Sequence, residues 1–323
     1  MLLNHPLRFQ PLLRRYLWGG RRLETLLKKP LGEGADYAES WEVVDHGNDQ
    51  SVVAFGPFAK QTLRQLVQEQ SGALLGRHAP QATFPLLFKF LDANQPLSVQ
   101  VHPNDEYGAL MTQPDLGKTE AWVVVHAEPG ARLYAGLKRG FDRAALAREV
   151  ARGTTELCLH QFEPQVGDCV FIPAGVAHAL GAGLVIAEIQ QASDTTFRLY
   201  DWNRVGADGQ PRALHIEQAL EVIDYAYGPV APQVAETVDP QVQRLVACDK
   251  FVLDRWQLNG SRAVGGDDRF HILAVLAGEI RLPHDPAGQT LKLGETALLP
   301  AALPPGEILA IGNAVVLDMY LPG

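Results

Sequence analysis

The sequence is short of cysteine, of cationic side chains and of long apolar runs. Only three of its 323 residues are cysteine: Cys158, Cys169 and Cys248. They are odd in number, far apart and without CxxC spacing. That excludes a disulfide frame or a thiolate zinc site and points to reduced core residues of a cytoplasmic protein. No stretch approaches the roughly 20 apolar residues needed to cross a bilayer. The first residues, MLLNHPLRFQPLLRRYLWGGRR, lack the uninterrupted apolar core and cleavage site of a signal peptide. A soluble protein with no membrane partner is expected. Its 28 Lys and Arg face 37 Asp and Glu, for a net charge of -9. Binding a phosphate backbone needs excess cation, so nucleic acid is not an expected partner, although one small anion in a local basic pocket is.

What is present is apolar residue enough, 46%, for a sizeable core in two domains or in one with an elaborated second half. Residues 1–36 read as an irregular arm, with Trp18-Gly19-Gly20 as a tight turn. Alternation predicts strands over 38–45, 86–91 and 97–102, the last two joined by Asp92-Ala93-Asn94. Apolar spacing predicts helices over 62–75, 105–111, 141–152 and 215–225. Residues 119–127 and 131–137 are expected to pair as a hairpin across Pro129-Gly130. From 157 to 201, short strands and Gly or Pro turns alternate, which favours a barrel or sandwich over a parallel α/β sheet. Residues 203–213 read as a polar loop, 226–245 as a linker-like crossing with Pro229, Pro232 and Pro240, and 250 onward as a second β region.

A faint repeat links the two β regions. Gly167 to Gly294 and Pro173 to Pro300 are both separated by 127 residues, each Gly followed by an acid and each Pro by Ala. Two β-barrels built on one plan would produce this. His178 corresponds to Pro305 at that offset, so the second barrel is expected to lack a metal ligand there.

The most informative stretch is 84–105, FPLLFKFLDANQPLSVQVHPND, where an apolar run ends in Gln100 and His102 at strand spacing. Residues i and i+2 of a strand share a face, so the two would project together. Alone, the pair reads as two satisfied core polar residues; partners change that. Glu120 on TEAWVVV and His178 on VAHAL also interrupt apolar, strand-like text. Two imidazoles, a carboxylate and an amide oxygen suit one divalent ion, zinc most naturally, and their wide separation suits a barrel. Glu188 is a weaker fifth candidate. His126, His160, His215 and His271 have no obvious partner and read as structural or surface residues. Lys89, Lys118, Arg198 and Arg204 supply cations nearby; Lys89 and Arg198 sit in apolar text, and Arg204 in a polar loop.

These residues carry a resemblance. Through LWGG, AESWEV, FPLLFKFLDANQPLSVQVHPND, GKTEAW, IPAGVAHALGAG and DTTFRLYDWNR, in order over most of residues 1–225, the chain resembles type I phosphomannose isomerases in their short bacterial form. The resemblance implies a mainly β, tandem cupin fold of two jelly-roll barrels with a few peripheral helices. It implies a metal-binding domain over 1–245 and a cupin-like domain without metal ligands over 246–323. One zinc ion would be bound by Gln100, His102, Glu120 and His178. Arg198 would be catalytic, Lys89 and Lys118 would lie in the pocket, and Arg204 could hold the phosphate. Asn104 stands where the family often has an acid, a change expected to be tolerated because the position belongs to a turn.

The implied activity is interconversion of mannose 6-phosphate and fructose 6-phosphate through a cis-enediol, with Arg198 stabilising the oxyanion. Lys118, a carboxylate and a metal-bound water stay open as the base. The partner is a small sugar phosphate, and a monomer or weak homo-oligomer is expected. Another metal-dependent cupin chemistry, such as a dioxygenase or an epimerase, would favour HxH where this chain has QVH. A non-catalytic sugar-binding module would give the cations no reason to be internal.

Overall fold

A computed structural model describes residues 2–205 and 209–323; residues 206–208 of the expected polar loop, and Met1, lie outside the described residues. The chain builds two β units, and among the described residues every strand pairs antiparallel. In the first, a large sheet runs in the order Cys169–Ile172, Glu120–Ala127, Leu184–Gln191, Leu86–Ala93, Tyr37–Val43, Leu12–Gly20. It faces a smaller sheet ordered Leu159–Phe162, Leu133–Leu137, His178–Leu180, Val99–Val101, Phe197–Tyr200. The second unit has a large sheet ordered Thr296–Leu299, His271–Ala277, Ala314–Tyr320, Val252–Leu258, Val242–Ala247, Glu236–Asp239. Its smaller sheet is ordered Leu291–Lys292, Glu279–Arg281, Gly306–Ala310, Ser261–Val264.

The two units follow one plan. Ranked by chain position within each sheet, both large sheets read 5-4-6-3-2-1 and both small sheets read 3-2-4-1, with Phe197–Tyr200 a fifth strand in the first unit alone. The repeat in the sequence is the same edge strand in each. Gly167 at φ 93° and Gly294 at φ 80° turn the chain into Cys169–Ile172 and Thr296–Leu299, a backbone conformation that favours glycine.

The two large sheets share a core. Phe88, Phe90, Ala187 and Ile189 of the first pack with Phe251, Leu253, Ile272 and Met319 of the second. Complete burial of Phe88, Phe90, Phe251 and Phe270 contributes about 2 to 3 kcal/mol each. Because the first large sheet is covered on both faces, Leu86–Ala93 and Leu184–Gln191 are buried along their whole length. Their charged interruptions, Lys89 and Glu188, are register partners on the face opposite those phenylalanines. That face looks into the first unit.

Several expectations change. The segment over 1–36 is not an irregular arm: it holds the edge strand Leu12–Gly20, and Trp18-Gly19-Gly20 ends that strand. Register shifts near Arg14 and Arg15 break its two-residue period, which hid it from a reading by alternation. The hairpin over 119–137 does not form either. Glu120–Ala127 pairs with Cys169–Ile172 and Leu184–Gln191, while Leu133–Leu137 crosses to the smaller sheet. Residues 226–245 are only partly a crossing, since Glu236–Asp239 and Val242–Ala247 are strands of the second unit. The strand Val242–Ala247 runs through the expected domain boundary at 245/246. The helix expected over 62–75 breaks at Gln70 into Leu63–Glu69, capped by Thr62 and Gln65, and Ser71–Leu75.

Candidate metal centre and cavity

The two sheets of the first unit aim their polar residues at one another. From the large sheet come Glu120, Lys89 and Glu188, from the small sheet Gln100, His178 and Arg198. His102 follows the strand Val99–Val101 directly. Lys118 is brought over His102 by a close backbone approach: its N–H donates to Pro103 O at 3.0 Å, and a Cβ on Gly117 would lie 2.5 Å from Asn104 C. Asn104 itself caps the helix Asp105–Leu110, accepting from Tyr107 N–H at 2.9 Å. An aspartate would cap it equally well, so Asn104 fits the turn role expected of it.

His102, Glu120 and His178 form a buried triad whose ligand atoms all lie within 4.8 Å of one another. His102 Nε2 is 3.6 Å from Glu120 Oε2, and His178 Nε2 is 3.4 Å from Glu120 Oε1. Each imidazole Nδ1 lies 2.8 Å from a backbone carbonyl, that of Thr195 for His102 and of Val176 for His178. A carbonyl can only accept, so each Nδ1 carries the proton and each Nε2 presents a lone pair. Burial reinforces this. It holds His102 well below the ordinary imidazole value, helped by Lys118, and pushes His178 down to about 4. Two lone pairs and a carboxylate thus converge as acceptors, a donor set that fits a divalent cation.

Gln100 adjoins this triad. Its side-chain nitrogen lies 3.3 Å from His178 Nε2 and its oxygen accepts from Ser98 Oγ at 3.2 Å. Turning the amide end for end would present the oxygen to the same point. Glu188 is not in the triad: Lys89 lies 3.3 Å and Lys118 3.5 Å from its Oε1, and Trp122 Nε1 donates to its Oε2 at 3.0 Å. Lys118 Nζ is 2.8 Å from Glu120 Oε2 and 3.3 Å from His102 Nε2. Burial lowers the pKa of both lysines, but Glu120 and Glu188 beside Lys118, and Glu188 and Glu39 beside Lys89, outweigh it and hold both protonated. Glu120 is pushed up to about 7 by burial and by Glu188.

These groups open onto a cavity of about 290 Å³. His102 stands behind its wall, while Gln100, Glu120, His178, Lys89, Lys118 and Arg198 line it. Arg198 is braced by Ser98 Oγ at 3.3 Å and Ala213 O at 2.9 Å, and its backbone N–H donates to His215 Nδ1 at 3.2 Å. Arg204, expected to hold the phosphate, does not line this cavity but an adjoining one that it shares with Arg212. Its guanidinium donates to Pro96 O at 2.6 Å and pairs with Asp201, which turns it back on its own loop. The lining also includes Tyr16, Glu39, Asp194 and Arg212, none of which was singled out from the sequence. Glu39 alone left a signal, a carboxylate in the strand-like AESWEV. His271, expected to lack a partner, has two, Asp318 at 2.8 Å and Asp267 at 3.0 Å.

Two barrel-like β units on one plan, with a two-histidine, one-carboxylate cluster and a cation-lined cavity in the first, define a cupin protein with a metal-binding site. Residues 7–118 match the phosphomannose isomerase type I catalytic domain, and residues 241–317 the mannose-6-phosphate isomerase cupin domain. The mannose-6-phosphate isomerase ManA of Bacillus subtilis is 34% identical over 98% of this chain and 99% of that protein. A crystal structure of the mannose 6-phosphate isomerase of Bacillus subtilis superposes with a TM-score of 0.88 at 26% identity, covering 98% of this chain and 100% of that one. A mannose 6-phosphate isomerase bound with zinc and yttrium shares the fold, at a TM-score of 0.77 and 18% identity over 99% of this chain and 100% of that one. The chain belongs to the type I phosphomannose isomerase family, and it is an isomerase.

Proposed function

We propose that the protein interconverts mannose 6-phosphate and fructose 6-phosphate through a cis-enediol, with one zinc ion held by His102, Glu120, His178 and Gln100 in the first β unit. The observation that carries this reading is the convergence of three acceptor groups on one point of a cavity lined by four cations and four carboxylates. A divalent ion added there leaves the lining doubly positive, which matches a phosphate dianion on a neutral sugar. Zinc is favoured over harder ions by the two imidazoles. When bound, it supplies a Lewis acid that orients and polarises the sugar oxygens at C1 and C2.

The chain's own groups do the rest. Lys118 enters protonated and can give its proton to the ring oxygen as the pyranose opens, the C1 hydroxyl proton passing to solvent; once neutral it can take the proton from C2 and return it to C1, while the C2 hydroxyl proton passes to the C1 oxygen. Arg198, permanently charged and braced from two sides, stabilises the oxyanion that develops as the enediol forms. Lys89, 3.4 Å from Glu39 and 3.3 Å from Glu188, offsets their charge and contributes to anion binding. The second β unit, whose strands begin at Glu236 and not at the expected 246, brings together no cluster of metal-ligand geometry among the described residues. The three unpaired thiols accord with a cytoplasmic setting.

The test is direct. Purified protein should contain one equivalent of metal, and fructose 6-phosphate formation from mannose 6-phosphate should stop on chelation and return with zinc. Metal-free protein that still turns over at full rate, or full activity in Arg198→Ala, would sink this reading.

A further inference from the structure

Arg212 links the cavity to the exterior. The segment that carries it runs beside the strand Phe197–Tyr200: Arg198 Nη1 donates to Ala213 O at 2.9 Å, and His215 N–H donates to Arg198 O at 2.8 Å. The bridge between Val205 and Pro211 brings Arg212 back to the neighbourhood of Arg204. Three guanidiniums then gather around one carboxylate. Asp201 pairs with Arg204 and lies 3.6 Å from Arg212 Nη1, while Arg198 stands close enough to feel both other arginines. Asp201 alone does not neutralise these three cations.

The three arginines are not equivalent. Arg204 is spent on Pro96 O and Asp201 and lies outside the cavity, whereas Arg198 and Arg212 both line it. Contacts lead outward from the metal-ligand cluster: His178 to Gln100 at 3.3 Å, Gln100 to Ser98 at 3.2 Å, Ser98 to Arg198 at 3.3 Å, and Arg198 to the carbonyl of Ala213, the residue after Arg212. A hexose 6-phosphate with C1 and C2 at that cluster and its chain laid along this line would bring its phosphate to Arg198 and Arg212. Arg212 stands at the end of it, its side chain 37% exposed and its guanidinium in a loose ion pair of 3.6 Å with Asp201.

We infer that Arg212, beside Arg198, is the phosphate-binding residue at the mouth of the cavity, and that it sets the preference for phosphorylated over free sugar. This rests on the isomerase reading above. The test measures equilibrium binding of mannitol 6-phosphate, which cannot isomerise, and of free mannitol to the metal-loaded enzyme, together with steady-state kinetics. Arg212→Leu should weaken mannitol 6-phosphate binding about 10- to 100-fold and raise KM for mannose 6-phosphate by a similar factor. It should leave kcat within about threefold and leave free mannitol unaffected, as loss of uniform binding requires. Arg212→Lys, which keeps the charge, should recover part of the loss; Arg204→Leu should cost less than about threefold. The inference is overturned if Arg204→Leu weakens binding as much as Arg212→Leu, if free mannitol is weakened equally, or if Arg212→Lys recovers nothing. A wild-type enzyme that shows this binding pattern yet fails to isomerise mannose 6-phosphate overturns the isomerase reading and leaves Arg212 as the anchor of a sugar phosphate site.

Discussion

Glu120 and His271 occupy the same place in the two β units. Each opens the second strand of its large sheet, Glu120 opposite Ile172 and His271 opposite Leu299. Following the registers inward, Glu188 corresponds to Asp318, Lys89 to Asp254 and Trp41 to Arg244. The second unit uses these positions to close its charges on themselves. His271 lies between Asp318 and Asp267, and Asp254 takes Arg244 at 2.8 Å and Tyr320 Oη at 3.0 Å. The first unit leaves acceptors facing one another around a cavity, and it alone has the fifth strand that carries Arg198. The same backbone becomes a scaffold where polar groups satisfy one another and a site where they do not.

The largest effects should follow from breaking the open interior. His102→Ala removes one of two imidazole donors and should lower metal affinity by more than about 100-fold, since even residues behind a ligand are worth 10- to 100-fold. Metal analysis after dialysis checks this, and retained stoichiometric metal would contradict it. Arg198→Ala should cost about 100- to 1,000-fold in kcat with metal content unchanged. A parallel loss of metal would reassign Arg198 to the structure of the site. Gln100→Ala should weaken metal binding only about tenfold, because an amide oxygen is a poor donor beside imidazole.

Metal uptake should also release protons below neutrality. Without a cation Glu120 titrates at about 7, and a metal must displace its proton. Affinity should therefore fall about tenfold per pH unit below 7, with up to one proton released, readable by titration calorimetry in buffers of different ionisation enthalpy. A pH-independent affinity between 5.5 and 7 would contradict this.

The triad was legible in the sequence because each member interrupts apolar, β-branched text, where a polar side chain needs a partner. The repeat at offset 127 was legible because two positive-φ turns demanded glycine at the same point of one plan. Strand partners were not legible. Whether Leu133–Leu137 pairs with the strand before it or crosses to the other sheet depends on residues far along the chain, so the hairpin reading failed. Arg212 was hidden because a cation in a polar loop looks solvated until the loop is folded back on Arg198. His271 looked solitary because Asp318 is 47 residues away.

That closed interior gives the smallest effect and the sharpest contrast. Burial disfavours a charged His271, but Asp318 and Asp267 outweigh it and raise its pKa to about 10. A histidine of an unfolded chain titrates near 6.5. The folded state therefore binds the extra proton more tightly, and the stability this confers is complete below about pH 6.5 and is lost as pH rises through 10. His271→Gln removes the cation and leaves Asp318 buried with a neutral donor, a cost of about 2 kcal/mol at pH 6, or roughly 4 °C in Tm. At pH 10.5 the wild-type imidazole is mostly neutral too, and the two melting curves should approach each other. Because this network lies in the unit without the triad, metal content and turnover at 25 °C should match wild type. A Tm difference that persists undiminished at pH 10.5, or a loss of metal in His271→Gln, would show that the second interior is neither charge-closed nor independent of the first.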